Sequence, residues 1–240
     1  MIKLSFFLLS VVIANCCIGQ KKTRSMPVIF KVTCRGDDVI LNKNLVNYFG
    51  ENYTITKLKY YVSNVKFVTH EKRTKTSNVY LIDASKKNII STPVPSKNIS
   101  GISFLLGIDS ALNCGGAQNG ALDPLNDMFW TWNNGYIFFK LEGKSELSQA
   151  DLHRIEHHIG GYKGSNKTMR EIYLPINKAF LKGKKNLVIQ LDIDKYWNGI
   201  NKLNIAESPV IAIPGLQAKN AAANFNGMFS IKDNQQILSP

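Results

Sequence analysis

The chain reads as an all-β protein, an antiparallel β-sandwich with long loops and at most short helices. Three observations point there. Segments rich in β-branched and aromatic residues recur along the sequence, clusters of Gly, Asn and Pro separate them, and no long amphipathic helix alternates with them.

Taken in order, residues 1–19 hold one early cation, Lys3, an apolar run over 4–13, and small residues before Gln20. This is the layout of a secretory signal peptide, and the run is too short to span a bilayer. The mature domain is then 20–240, without internal repeat or linker. A competing reading is a lipoprotein signal in which Cys16 is acylated after Ile13, Ala14 and Asn15, which would anchor the domain to a membrane surface. Both readings place the domain outside the cytoplasm, in the periplasm or cell envelope.

Strands are expected at 28–33, 54–68, 79–82, 102–106, 136–139, 172–174, 187–191 and 210–213, with 136–139 set in a strand over 129–141 if the Trp run is continuous. Short helices are expected around 148–153 and 218–224. GGAQNGALDP at 115–124 is rich in turn formers and reads as a long ordered loop delivering the chain into the Trp strand. On one continuous strand, Trp130 and Trp132 would point to the same face, with Thr131 opposite.

The net charge of +13 becomes +12 when the leader, with Lys3, is removed. The excess is lysine scattered over several short clusters, and arginine, which suits bidentate recognition of bases and phosphates, is scarce. The charge therefore reads as a solvated surface suited to an acidic protein or an anionic envelope, and nucleic acid is not an expected partner.

Of four cysteines, Cys16 and Cys17 belong to the leader. Cys34 and Cys114 remain, and in an oxidising compartment an isolated pair most simply forms one disulfide, contributing about 2–4 kcal/mol. The alternative is a thiolate pair holding a soft metal such as Cu(I).

Four histidines are present: His70, His153, His157 and His158. The run from His153 to His157 matches the H-x-x-E-H pattern of zinc proteases, which works only on a helix, and the local sequence leaves little room for one before Gly160 and Gly161. Read as a strand, the same stretch puts His157 on a face with Ile155 and Ile159, and turns His158 the other way. Asp192 and Asp194 begin like a calcium loop, but Tyr196 and Trp197 stand where a ligand and a glycine are needed. Asp109, Asp123 and Asp127 suit either a hard cation or turn capping.

Three quoted motifs carry a resemblance: GAQNGALDP at 116–124, MFWTWNNGY at 128–136 continuing into KLEG at 140–143, and HIGG at 158–161. Together they resemble the MbnP-like copper-binding family of bacterial envelope proteins, and weaker echoes extend over most of the mature chain. The resemblance implies a β-sandwich that binds copper through imidazole and a tryptophan oxidised to kynurenine, the oxidation being done by a MauG-like dihaem cytochrome c peroxidase. Carried onto this sequence, it makes Trp130 and Trp132 the kynurenine candidates and His158 a metal ligand, with Trp130, Trp132 and His157 as further candidates. A second imidazole comes from His157, His153 or His70, or is absent. Opening an indole yields an aryl amine, a donor that intact indole lacks. No nucleophile triad, phosphate loop or catalytic carboxylate pair is evident, so the chain is expected not to be an enzyme. A reading from another class is an envelope module whose Trp130/Trp132 face docks a protein or glycan without metal.

Overall fold

The computed structural model describes residues 24–69, 78–96, 98–131 and 134–232. The leader, Cys16, His70 and Trp132 lie outside the described residues. The strands are β1 (Ser25–Cys34), β2 (Asp37–Asp38), β3 (Asn44–Val46), β4 (Asn52–Thr69), β5 (Val79–Asp83), β6 (Asn88–Pro93), β7 (Ile99–Leu106), β8 (Phe129–Thr131), β9 (Gly135–Lys144), β10 (Arg154–Gly160), β11 (Arg170–Pro175), β12 (Leu187–Asp192), β13 (Val210–Ile211) and β14 (Phe229–Ile231). Short helices are α1 (Ser110–Cys114), α2 (Asp194–Trp197), α3 (Leu216–Ala223) and α4 (Phe225–Met228).

Among the described residues the strands form two sheets. The smaller runs β14-β12-β1-β2, with β6 also on β1; the larger runs β11-β7-β4-β9-β10-β13, with β3 and β5 on β4 and β8 on β9. One sheet is strongly curled into a half-barrel. The fold is mostly β with short helices, as expected, but the sheets are mixed and not purely antiparallel. β1 runs parallel to β12, from Val28 opposite Leu187 to Thr33 opposite Asp192, and β10 runs parallel to β13. The hydrophobic alternation that reveals a strand is the same for either direction, so sequence could not separate them.

The sheets bury a shared core of Phe30, Phe104, Phe139, Tyr60, Phe229 and their aliphatic neighbours. Phe30 and Phe229 each meet Phe104 edge-on, at 5.4 and 5.1 Å between ring centroids. Edge-to-face contacts of this kind add to area burial. A second cluster, including Tyr61, Met128, Tyr136 and Phe138, lies on the other face of β4 and β9, beneath the long loop. β9 is therefore covered on both faces: Phe139 and Leu141 enter the main core, while Tyr136 and Phe138 enter the second.

Two local expectations change. The 129–141 segment is not one strand: β8 ends at Thr131, β9 begins at Gly135, and the two pair antiparallel with Phe129 opposite Tyr136. Gly135, the first residue of β9, has φ +72°, a conformation that favours glycine. Around 148–153 there is only a single 3-10 turn, Asp151–His153, with Leu152 and His153 at positive φ. The helix expected at 218–224 is present as α3, two residues earlier.

Candidate functional site

The site lies on the face of the larger sheet that points away from the main core, beside the loop that covers it. Register places the side chains. His158 stands opposite Lys140, and Glu156 opposite Glu142, across the β10 and β9 ladder. Lys59 and Lys57 stand opposite Lys140 and Glu142 across the β4 and β9 ladder. Residues two apart on a strand share a face, so these six polar side chains converge on one patch.

The long loop is tied down by its own motif residues. The Tyr136 hydroxyl lies 2.7 Å from the Leu122 carbonyl and 2.9 Å from that of Gly116, and Tyr61 donates to Ala121 at 3.0 Å. Gln118 donates to Leu112 at 2.8 Å, and Asn126 to Gly120 at 2.8 Å. Asp109 caps α1 by accepting from the Leu112 amide, and Asp123 caps the 3-10 turn Pro124–Asn126 by accepting from Leu125. Both act as turn caps, as Asp and Asn commonly do.

Asp127 does something different. It sits in the left-handed region at φ 62°, and its carboxylate meets Lys57 at 2.8 Å and Lys140 at 2.9 Å. Lys59 adds a hydrogen bond to the Asn126 carbonyl at 3.0 Å. Burial alone would raise the Asp127 carboxyl, but hydrogen bonds from Lys57 and Lys140 bring it below the usual carboxylate range. The end of the loop is thus clamped electrostatically to β4 and β9.

His158 is largely buried, with 12% of its side chain exposed, between two carboxylates. Nε2 lies 2.9 Å from Glu142 Oε1, and Nδ1 lies 3.5 Å from Glu156 Oε1. Glu142 also meets Lys57 at 3.0 Å and Lys140 at 3.4 Å. The hydrogen bond from His158, reinforced by Lys57 and Lys140 and opposed by burial, pulls the Glu142 carboxyl down to about 2. Arg154 meets Glu156 at 3.2 Å. Around His158, four cations, Lys57, Lys59, Lys140 and Arg154, face Asp127, Glu142, Glu156 and Asp83, the last 4.0 Å from Lys59.

Trp130 is half-buried on β8 and lies against Gly160. A Cβ on Gly160 would come within 2.7 Å of Trp130 Cζ3 and 2.5 Å of the Tyr136 carbonyl oxygen. The first glycine of HIGG is therefore required by the close approach of the indole and of the β9 backbone. Gly143, in KLEG, is required for the same reason: a Cβ there would sit 2.0 Å from the Thr54 carbonyl. The structure brings His158 onto β10 two residues before the glycine that seats Trp130.

His157 is not part of this patch. It is fully buried on the core face with Ile155 and Ile159, as the strand reading expects. Nδ1 lies 2.8 Å from the Tyr196 hydroxyl and Nε2 2.7 Å from the Ser208 carbonyl. A carbonyl only accepts, so Nε2–H donates to Ser208 and Nδ1 accepts from Tyr196, which leaves no nitrogen for a metal. Burial, opposed by the Ser208 hydrogen bond, lowers the imidazole to about 4 and keeps it neutral. The expectation of His157 as a ligand is corrected on this geometry.

His153 lies in the 3-10 turn, with Nδ1 3.1 Å from the Ser148 carbonyl. With His153 in a turn and His157 in a strand, the H-x-x-E-H string has no helix to work on. The expected disulfide is not formed. Cys34, at the end of β1, and Cys114, at the end of α1, are both free. Asp192 accepts from the amides of Arg35 and Asp194, Asp194 pairs with Arg35, and Trp197 is fully buried, so that stretch is a strand end and not a calcium loop.

The sequence reading missed Glu142, Glu156, Lys140 and Lys57. Period-two spacing from His158 would have found Glu156, since residues two apart on a strand share a face. Among the described residues no three His, Cys, Asp or Glu side chains form a ready metal-holding group. Nor is any helix among them long and apolar enough to cross a membrane.

A family model described as MbnP matches residues 23–213. Among solved structures, MbnP from Methylosinus trichosporium is similar, with a TM-score of 0.55 at 14% identity, covering 76% of this chain and 80% of that one. At that identity the likeness concerns the fold. No curated protein matches the chain in sequence.

Proposed function

The chain belongs to the MbnP family, and from that premise we propose that it is an extracytoplasmic copper-binding or copper-handling protein and not itself an enzyme. On this reading Trp130 or Trp132 is oxidised to kynurenine by a partner dihaem peroxidase, and residues 1–19 are the signal peptide of the 20–240 domain. The observation that carries it is Nδ1 of His158, 3.5 Å from Glu156 Oε1. When Nε2–H is donated to Glu142, the neutral imidazole turns a lone pair toward a carboxylate. Two acceptors so placed call for a proton or a cation between them.

The donor types suit copper: one imidazole nitrogen, one carboxylate, and an aryl amine if the Trp130 indole is opened. Bound there, copper would be carried cargo, held by His158 and Glu156 together with that amine. Glu142 takes the place of the carboxylate that orients a ligating imidazole by accepting its other N–H. The four cations already match the carboxylates around them, so charge alone attracts no divalent ion and discrimination falls to the nitrogen donors.

The test is peptide-mapped mass spectrometry of the mature protein from its own host, covering the N-terminus, Cys34, Cys114 and residues 128–140, combined with copper titration of wild type and His158→Gln. A kynurenine mass at Trp130 or Trp132, and copper binding lost in the variant, are expected. Intact tryptophans in a copper-starved host expressing the peroxidase, with no copper bound, would overturn the proposal. That result would leave the binding-module reading, with His158 a structural histidine.

A further inference from the structure

We propose that the cavity at the end of the sandwich, where β1, β6 and β7 meet the loop before β12, binds one long-chain carboxylate. The cavity measures about 820 Å³ and shares no residue with the His158 patch. Its floor is the closed end of the main core, where Met26, Ile99 and Leu181 are only 2%, 6% and 5% exposed, and its apolar walls are the more exposed Val94, Pro95 and Ala179. Its charged residues are Arg24, Lys178 and Lys182, and no Asp or Glu lines it among the described residues. Lys178 is held at the mouth by donating to the Ser96 carbonyl at 2.9 Å.

Two features together define the ligand. The apolar walls Val94, Pro95 and Ala179, set over a closed apolar floor, favour an alkyl chain, roughly in proportion to the area it covers. Three cations with no carboxylate among them favour an anionic head, and a guanidinium matches a carboxylate in bidentate geometry. The volume falls in the range of small-molecule sites, about 300–1,000 Å³. On the proposed reading that the mature chain begins at Gln20, its own preceding residues, Gln20, Lys21, Lys22 and Thr23, are poor occupants, since they bring two more cations and no large apolar side chain. A free fatty acid, its chain along Val94, Pro95 and Ala179 and its carboxylate on Arg24 and Lys182, meets both requirements.

The test uses the full mature chain, stripped of lipid, with cis-parinaric acid as the fluorescent probe and oleate as competitor. Oleate is expected to displace the probe. The double variant Arg24→Gln/Lys182→Gln is expected to weaken oleate about tenfold to a hundredfold, from the loss of charge-assisted hydrogen bonds, while leaving oleyl alcohol unchanged. Ala179→Trp, an exposed cavity-lining position, is expected to abolish both. The charge variant lies wholly at the mouth and decides the question even should Ala179→Trp fail to fold. The proposal is overturned if oleate does not displace the probe, if the charge variant binds oleate as wild type does, or if a folded Ala179→Trp still binds. It is equally overturned if acetate competes as well as oleate, or if phosphatidylglycerol vesicles bind where monomeric oleate does not.

Discussion

Nε2 of His158 lies 2.9 Å from Oε1 of Glu142, although the two are diagonal neighbours and not register partners. Directly opposite Glu142 on β10 is Glu156, and like charges so placed destabilise a strand pair. His158, together with Lys57, Lys140 and Arg154, is what makes that pairing tolerable.

The acid limb of stability should follow Glu142. Its folded-state carboxyl is pulled from 4.5 to about 2, chiefly by the His158 hydrogen bond. A depressed carboxyl contributes stability that is fully present above pH 4.5 and is lost as pH falls through about 2. The loss expected over that window is about 2–3 kcal/mol. Glu142→Gln should flatten this limb in urea titrations taken between pH 5 and pH 2; an unchanged limb would assign it to other carboxylates.

Of this patch only His158 was legible as a site residue, and the motif glycines mark close packing around it. Gly143 and Gly160 stand out in KLEG and HIGG because neighbouring backbone and an indole leave no room for a Cβ. His158 could be separated from His157 by strand parity alone. What sequence could not supply was partner identity: Glu142 and Lys57 are brought together only by the β4 and β9 register, and Asp127 reaches them only because its loop folds back over the sheet. Strand direction was hidden as well, because β1 and β12 alternate in the same way whichever way they pair. The turn between β8 and β9 was masked by an aromatic-rich run that reads as one strand.

His157 should dominate stability at milder pH. Its imidazole is lowered from 6.5 to about 4 by burial and stays neutral in the fold. The unfolded chain takes up a proton near pH 6.5 and the folded chain only near pH 4, so stability is full above 6.5 and declines as pH falls between these values. The decline expected is about 3 kcal/mol. His157→Gln should remove this slope while lowering stability at pH 7.5 by about 1–3 kcal/mol, because Tyr196 and Ser208 lose a fitted partner. Thermal melts at pH 7.5, 6 and 5 would check both effects.

Gly160→Ala tests the seat of Trp130. The new methyl would meet both the indole and the Tyr136 carbonyl, and backbone cannot yield as a side-chain tip can. A destabilisation of about 1–3 kcal/mol is expected from overpacking. In a double-mutant cycle with Trp130→Ala, part of that cost should be recovered and part should persist, reflecting the carbonyl. Strict additivity of the two variants would show that Trp130 does not rest on this glycine.

The two thiols should behave as separate, unbridged groups. Cys114 is exposed, whereas the Cys34 thiol is pushed up to about 11 by burial and by the nearby carboxylates of Asp194 and Asp192. At pH 8 only about one part in a thousand of such a thiol is thiolate, the reactive form. Iodoacetamide should therefore modify Cys114 first, with Cys34 following slowly or only on unfolding. Added dithiothreitol should leave the melting temperature unchanged, since reduction of a bridge closing so long a loop would cost about 2–5 kcal/mol. A non-reducing peptide map that joined Cys34 to Cys114 would refute this, and would require the end of β1 and the end of α1 to approach more closely than they do here.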